Sequence, residues 1–336
     1  MRTLVTGGAG FVGRHLALLL HDQGHQVTAL DTLGDANAVF GHHELTQWEI
    51  PVIEGSVGDQ ELMRRLLDEH EAIAHLAAPT VGVEQMLRTP GTQVAALQDT
   101  ATLAGLLTAD HTLLYASTSD VYGLHSRHYG NKPMAEDDLT VYESPSVSRW
   151  NYSRAKALAE NLFACCPART VCVRIFNAYG PGFDYPQARR VIPRLTEAVF
   201  AGLPLRVSGD GSQHRAFCHI DDLVAGMACA LDRAGKFTSG GNLPVNLGNP
   251  DAYVSIRELA DLIAELAVTE GFVDKTPEVL VEGYAYSEHF DDTWNRCPDI
   301  DRARTMFDFE PTVGLRDGLL DVLTFYTDRA NSAPGC

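Results

Sequence analysis

Tyr152 and Lys156 stand four residues apart in "NYSRAK", a spacing that puts a phenol and an ammonium on one face of a helix. An ammonium beside a phenol favours the phenolate, so the pair could take a proton from a substrate hydroxyl. Tyr-x-x-x-Lys alone is frequent on helix surfaces and carries weight only in combination. Upstream, "STSDVYG" (117–123) gathers the hydroxyls of Ser117, Thr118 and Ser119 and the carboxylate of Asp120 at the end of an apolar strand. A turn needs one or two such groups, not four in a row. In combination with the Tyr–Lys pair, the stretch reads as one wall of a polar pocket.

The first strand, "RTLVTG", runs into "TGGAGFVG", where Gly7, Gly10 and Gly13 keep a T-G-x-x-G-x-x-G spacing. Glycine there permits a tight turn and lets backbone N–H groups at the positive end of a helix approach a pyrophosphate. Phe11 and Val12 open that helix between the glycines. Asp31 ends the second strand, "QVTALD", at the distance expected of a ribose-binding acid. Its carboxylate can accept bonds from adenosine ribose hydroxyls and would repel a 2′-phosphate, which favours NAD over NADP. A plain strand–helix turn and a solvated strand-end carboxylate are the bland alternatives. With a dinucleotide in place, a nicotinium charge would lower the Tyr152 phenol further.

Positioning these groups requires a frame, and the chain alternates strands and helices. The helix pattern "FVGRHLALLLHDQG" follows the first strand. After "QVTALD" come "ELMRRLLDEH" as a helix, "AIAHLAA" as a strand, "VAALQDTATLAGLLTAD" as a helix and "HTLLYAS" as a strand. The helix "NYSRAKALAENLFAC" and the strand "TVCVRIFNAYG" complete the series. Such alternation with continuously apolar strands predicts an α/β fold, a doubly wound parallel sheet covered on both faces. Beyond "GPGFDYPQ" the elements shorten, which marks a smaller C-terminal lobe with its boundary near residue 179. Residues 1–178, completed by about 216–249, form the dinucleotide domain, and 179–215 with 250–330 form the lobe.

Composition agrees with a globular chain able to bury a sizeable core: 336 residues, 45% hydrophobic and 21% charged. The net charge of −18 argues against nucleic-acid or anionic-membrane partners but leaves room for a small anion at local arginines. Seven cysteines, an odd number without C-x-x-C or His/Cys clustering, point to a reduced cytoplasmic protein with no metal site. No signal-like segment precedes the first strand, and no apolar run nears the roughly 20 residues a membrane span needs.

Taken together, "TGGAGFVG", "STSDVYG", "YSRAK" and "RIFNAYGPG" resemble, in order and over nearly the whole chain, the extended short-chain dehydrogenase/reductase family of nucleotide-sugar enzymes. The resemblance implies a Rossmann-type NAD domain, a lobe for a nucleoside diphosphate sugar, and a homodimer. It implies Thr118 as the catalytic hydroxyl, Tyr152 as the base, and Lys156 as its activator and a ribose ligand, with Ser119 and Asp120 facing further along the sugar. Leu76, Ala77 and Ala78 of "HLAAP" would pack against the dinucleotide. Ser56 and Val57 of "EGSVGD" stand in the adenine loop, where the family usually has Asp and Ile. Asn177 would lie beside the diphosphate and Arg215 of "GDGSQHRAF" would grip it, with Arg190 and Val191 of "RRVIPRL" continuing the cradle.

Two further stretches narrow the resemblance. The Arg-Trp pair of "SRWNYSRAK" and the segment "DDTWNRCPDIDRA" are similar to UDP-glucuronate decarboxylases of the UDP-xylose synthase type, which would put Arg296 against the substrate. Alternatively, "RCPDI" merely starts a C-terminal helix, with Asp299 and Asp301 near its N-terminus. The implied activity is decarboxylation of a UDP-uronic acid such as UDP-glucuronate through a 4-keto intermediate, with 4-epimerisation as the alternative. A 4,6-dehydratase fits less well, because its pattern needs an acid where Ser119 stands. A catalytically silent NAD protein would be expected to lack part of the Thr–Tyr–Lys set, which is intact. Three departures stand out: Asp120 replaces the decarboxylases' Glu, Met86 a substrate-lining Tyr, and Leu97 an Asn of many members.

Overall fold

The structure, a computed structural model, describes residues 1–78, 89, 91–186, 190–237, 241–283 and 294–332. Strands β1 (Arg2–Thr6), β2 (Gln26–Asp31), β3 (Val52–Glu54), β4 (Ala72–His75), β5 (Thr112–Thr118) and β6 (Arg169–Ile175) lie in one parallel sheet. Short strands β7 (Ala178–Tyr179), β8 (Leu205–Ser208), β9 (His214–Ala216) and β10 (Cys218–His219) follow, and then β11 (Gly241–Leu247) returns to pair with β6. The seven-stranded order is β11-β6-β5-β4-β1-β2-β3.

The alternation of side chains along each strand divides the core in two. Val5, Ala29, Ala74 and Leu114 face helix α1 (Phe11–Asp22) and the helix Ile220–Phe237. Leu4, Leu30, Ile73 and Leu113 face the opposite layer, where Leu103 of the helix Gly91–Leu106 and Phe163 of the helix Asn151–Ala164 pack. Each such aliphatic side chain contributes about 1.5–3 kcal/mol when removed from water. The sheet is therefore stabilised from both faces, and its strand ends are held rigidly.

A second cluster forms the smaller lobe, with Ile192, Leu195, Leu205, Leu259, Ile263 and Leu323 at its centre. It joins the helices Val191–Phe200, Ile256–Thr269 and Leu315–Ser332 to a β8–β13 pair, where β13 is Val279–Glu282. The helix Ile256–Thr269 starts at a capping box, Ser255 and Glu258 each bonding the other's backbone N–H. Strands β12 (Tyr253–Ser255) and β14 (Asn295–Arg296) flank β9 and carry Arg296 next to Arg215.

Two local expectations are corrected. "TVCVRIFNAYG" is two strands, because Asn177 takes a left-handed φ of 29° and its amide donates to the Ala216 carbonyl at 3.0 Å. Asparagine tolerates that region because its side chain can replace a lost backbone partner. A helix, Ala36–Gln47, stands where the apolar spacing gives little sign of one; Asp35 caps it through the Ala38 N–H at 2.9 Å. Among the described residues, no helix is long and apolar enough to cross a membrane and no cluster of His, Cys, Asp and Glu could hold a metal ion.

Candidate active site

The turn after β1 folds as the glycine spacing demands. Gly7 has φ 67°, and a Cβ there would lie 2.7 Å from the Ala77 nitrogen; one at Gly13 would lie 2.1 Å from the Gly7 carbonyl oxygen. The loop thus packs directly on "HLAA", where the Leu76 N–H donates to the Thr6 carbonyl at 3.0 Å. Gly10 precedes α1 and offers no side chain to cap the first-turn N–H groups of Phe11 and Val12. Asp31 is fixed beside them: its carboxylate accepts from Ala9 N–H at 3.1 Å and Leu33 N–H at 3.0 Å. Burial raises its carboxyl and these bonds oppose the rise.

Two of the expected dinucleotide contacts have other work for their side chains. Val57 is 4% exposed and packs into the core beside Leu30 and Leu66, so only its backbone can meet a ligand. The Phe11 ring stacks on Phe183 at 4.4 Å. Ser56 accepts from the Gly58 N–H at 3.1 Å and shapes the loop. Ala78 borders the Lys156 side of the cleft.

At the end of β5, Thr118 accepts from the Asp120 N–H at 3.2 Å and hydrogen-bonds the Tyr152 phenol. Tyr152 and Lys156 project from the helix Asn151–Ala164. The Lys156 ammonium donates to the Ala116 carbonyl at 2.8 Å and lies 4.7 Å over the Tyr115 ring. Burial brings it down to about 8, with Cys172 and Glu160 resisting. The Tyr152 phenol is pushed up to about 12, first by enclosure of its hydroxyl and then by Asp120. Arg190, the Thr118 bond and Arg296 pull it back, in that order.

Asp120 sits 15% exposed under a cluster of guanidiniums. Arg296 ion-pairs with it, and Arg149 Nη2 lies 3.9 Å from the same Oδ1. Burial alone would raise this carboxyl, but Arg296, Arg149 and Arg215 outweigh it and hold it below the ordinary range. Arg149 lies 4.7 Å over the Trp150 ring, and Trp150 in turn donates to Glu143 at 3.1 Å. Arg149 was visible in the sequence only as a subfamily mark; the structure makes it a site residue. In "RCPDI", Arg296 reaches Asp120, and the helix Asp301–Phe307 begins just beyond, as the second reading expects.

From the lobe, Arg215 donates to the His214 carbonyl at 2.8 Å, and Arg190 bonds Asp184 at 2.6 Å while covering the Phe183 ring. Val191 opens the next helix and packs on the lobe core. Ser119 is buried in the 3-10 turn Ser119–Tyr122, and Met86 lies outside the described residues.

A second buried network stands one turn behind Lys156. Ser117 donates to Glu160 at 2.5 Å, and Arg174 grips both Glu160 oxygens at 3.0 and 2.8 Å. Arg174 also donates to the Tyr122 hydroxyl at 3.1 Å, which donates to Asn246 at 2.7 Å. The network ties the end of β5, the catalytic helix, β6 and β11 together. Its signal in the sequence, Glu160 at i+4 from Lys156, reads equally as a surface pair.

A glycine cradle at the first strand–helix turn, facing a Thr–Tyr–Lys set on the same sheet edge, defines a dinucleotide-dependent α/β enzyme. The chain belongs to the NAD dependent epimerase/dehydratase family, whose model matches residues 3–248, and NAD is its cofactor. It is 34% identical over 336 residues to UDP-N-acetyl-alpha-D-glucosaminuronate decarboxylase of Bacillus cytotoxicus, covering 98% of this chain and 99% of that one. It is 31% identical over 331 residues to UDP-glucuronic acid decarboxylase 1 of Danio rerio, covering 97% of this chain and 72% of the relative. The solved UDP-glucuronic acid 4-epimerase from Bacillus cereus, in complex with UDP-glucuronic acid and NAD, is similar with a TM-score of 0.81 at 26% identity, covering 98% of this chain and 100% of that one.

Proposed function

We propose that the protein decarboxylates a UDP-uronic acid of the UDP-glucuronate type through a 4-keto sugar. The observation that supports this reading is Asp120 gripped by Arg296 and Arg149 beside the Thr118–Tyr152 pair, a gathering of guanidiniums able to meet a sugar carboxylate. The printed activities of the two decarboxylase relatives support the same reading.

Gly7, Gly10, Gly13, Asp31 and the Leu76–Ala78 backbone hold the dinucleotide, and Lys156 reaches its ribose. NAD, when bound, supplies the hydride acceptor for C4. Tyr152 takes the proton of the C4 hydroxyl, and Thr118 shares that oxygen. The resulting β-keto acid breaks its C5–C6 bond, the electron pair passes into the C4 ketone as an enolate, and carbon dioxide leaves. Thr118 and Tyr152 donate to the developing oxyanion. A proton returns to C5, and as the C4 ketone is reduced Tyr152 gives its proton back to the C4 oxygen, which leaves a UDP-pentose. Asn177, Arg190 and Arg215 hold the diphosphate in the lobe.

The test is incubation with UDP-glucuronate followed by mass spectrometry of the sugar nucleotides. Loss of the mass of carbon dioxide is expected. An isobaric product of new retention time would replace the reading with 4-epimerisation, the activity printed for the solved Bacillus cereus structure. Unchanged UDP-glucuronate would overturn it.

Two subsidiary expectations belong to this reading. Asp31→Ala removes the carboxylate that discriminates against a 2′-phosphate. NAD affinity should fall by about 10–100-fold, the worth of a charge-assisted bond, while NADP binding is gained; calorimetric titration with both cofactors checks it. Val94 and Leu158, 58% and 49% exposed, lie on the packed helices Gly91–Leu106 and Asn151–Ala164, an apolar face that fits a second copy of this chain. Leu158→Glu should shift the sedimentation coefficient from dimer to monomer. The six described cysteines are all free thiols, in keeping with a reduced, cytoplasmic protein.

A further inference from the structure

Gln93 lies in the first turn of the helix Gly91–Leu106 and is 4% exposed, yet its Nε2 makes no hydrogen bond among the described residues. Enclosing an amide donor without a partner is unfavourable, so a buried group in this state calls for one. The side chain borders a cavity of about 20 Å³ that Leu97, Thr100, Tyr115 and Lys156 also line. A water needs about 10–15 Å³ and two to four polar partners, so this space suits one water and not two.

The partners are present. Lys156 spends one donor on the Ala116 carbonyl at 2.8 Å and keeps two. Thr100 donates to the Ala96 carbonyl at 2.9 Å and can still accept. Leu97, one turn after Gln93 and on the same cavity wall, offers no polar atom.

We propose that Gln93 is a further positioning residue: through one water held in this cavity, its amide steadies the Lys156 ammonium behind Tyr152. The water accepts from Lys156 and Gln93 and donates to Thr100, which keeps a free lone pair beside its His75 contact at 3.3 Å, so the Gln93 amide gains the partner it lacks. Burial already drags the Lys156 ammonium down to about 8, so an additional acceptor is what keeps it charged above neutrality. The proposal rests on the reading of Tyr152 and Lys156 as the acid–base pair, but its first test does not.

That first test is a high-resolution crystal structure of the NAD-loaded protein. Density for one water within hydrogen-bond distance of both the Gln93 amide and Lys156 Nζ supports the proposal; a dry cavity or an amide turned away overturns it. The second test is the pH profile of NAD reduction by UDP-glucuronate in Gln93→Leu. Loss of the acceptor lowers the Lys156 pKa, so the basic limb should move down by about one pH unit with KM unchanged. Adding Leu97→Asn to Gln93→Leu should move it back. A Gln93→Leu profile superimposable on the parent's overturns the proposal, since a purely structural role would leave it there. If the parent never reduces NAD on UDP-glucuronate, the proposed substrate fails, and the crystal structure still decides for or against the water.

Discussion

Tyr152→Phe should abolish NAD reduction on addition of a sugar nucleotide while NAD binding survives. The substitution removes one oxygen and keeps the ring, so the helix Asn151–Ala164 and the Lys156–Ala116 contact remain. What disappears is the group that bonds Thr118 and would take the C4 proton. General-base catalysis is worth about 10²–10⁴-fold, and the Asp120 carboxylate beside Thr118 is held in an ion pair by Arg296, so the loss should reach the upper part of that range. Rapid-mixing absorbance at the NADH band measures it, and NAD titration of the variant controls for folding. Turnover within tenfold of the parent would remove Tyr152 from its role. The parent's rate also has a definite pH sign. With its phenol as high as about 12 in the protein alone, the reactive phenolate is the minor form at neutrality. The rate of ketone formation should climb with pH, about tenfold per unit, through neutrality up to the basic limb where Lys156 loses its proton. A flat or falling profile across neutral pH would mean that another group takes the proton.

Glu160→Ala should be the most destabilising single change near the site. It leaves Arg174 buried without its carboxylate and Ser117 without its acceptor, with no solvent to replace either. Breaking a buried pair from one side costs about 3–5 kcal/mol. For a chain of this size that corresponds to a fall in melting temperature of roughly 10 °C, readable by differential scanning calorimetry. Replacing both partners with Met should recover much of the loss, because the desolvated charge goes with its pair. A Glu160→Ala protein that melts with the parent would show that the network contributes little. Should Glu160→Ala fold at low temperature, its ketone-forming rate should fall as well, since Ser117 adjoins Thr118 and Glu160 adjoins Lys156.

The parallel sheet was legible because its strands are apolar on both faces and because Gly7, Gly10 and Gly13 punctuate the first turn. The meeting of Thr118 with Tyr152 was legible because the two lie in motifs whose order repeats that of a known family. What escaped was of another kind. Whether a charged side chain faces inward depends on partners distant in the chain. Glu160 and Arg174 carry no mark in the sequence of the residues, Ser117, Tyr122 and Asn246, that close around them. Arg149 read as a mark of kinship until Asp120 lay 3.9 Å away. Val57 sits in a polar loop, so its inward turn could not be read from spacing alone. The helix Ala36–Gln47 escaped because its cap and its close packing of Gly41 on Ala9, not its periodicity, hold it in place.

The position of β11 bears on how this chain is made. Its seven residues pair with β6 along the full length of both, yet they are synthesised only after the lobe's first segment, 179–215, and the helix Ile220–Phe237. Until residue 247 has left the ribosome, β6 is an open edge whose buried valines and backbone amides invite pairing with another nascent chain. A fragment cut at the lobe boundary would keep that edge for good. Its expected fate is aggregation, not a small domain that folds and binds on its own.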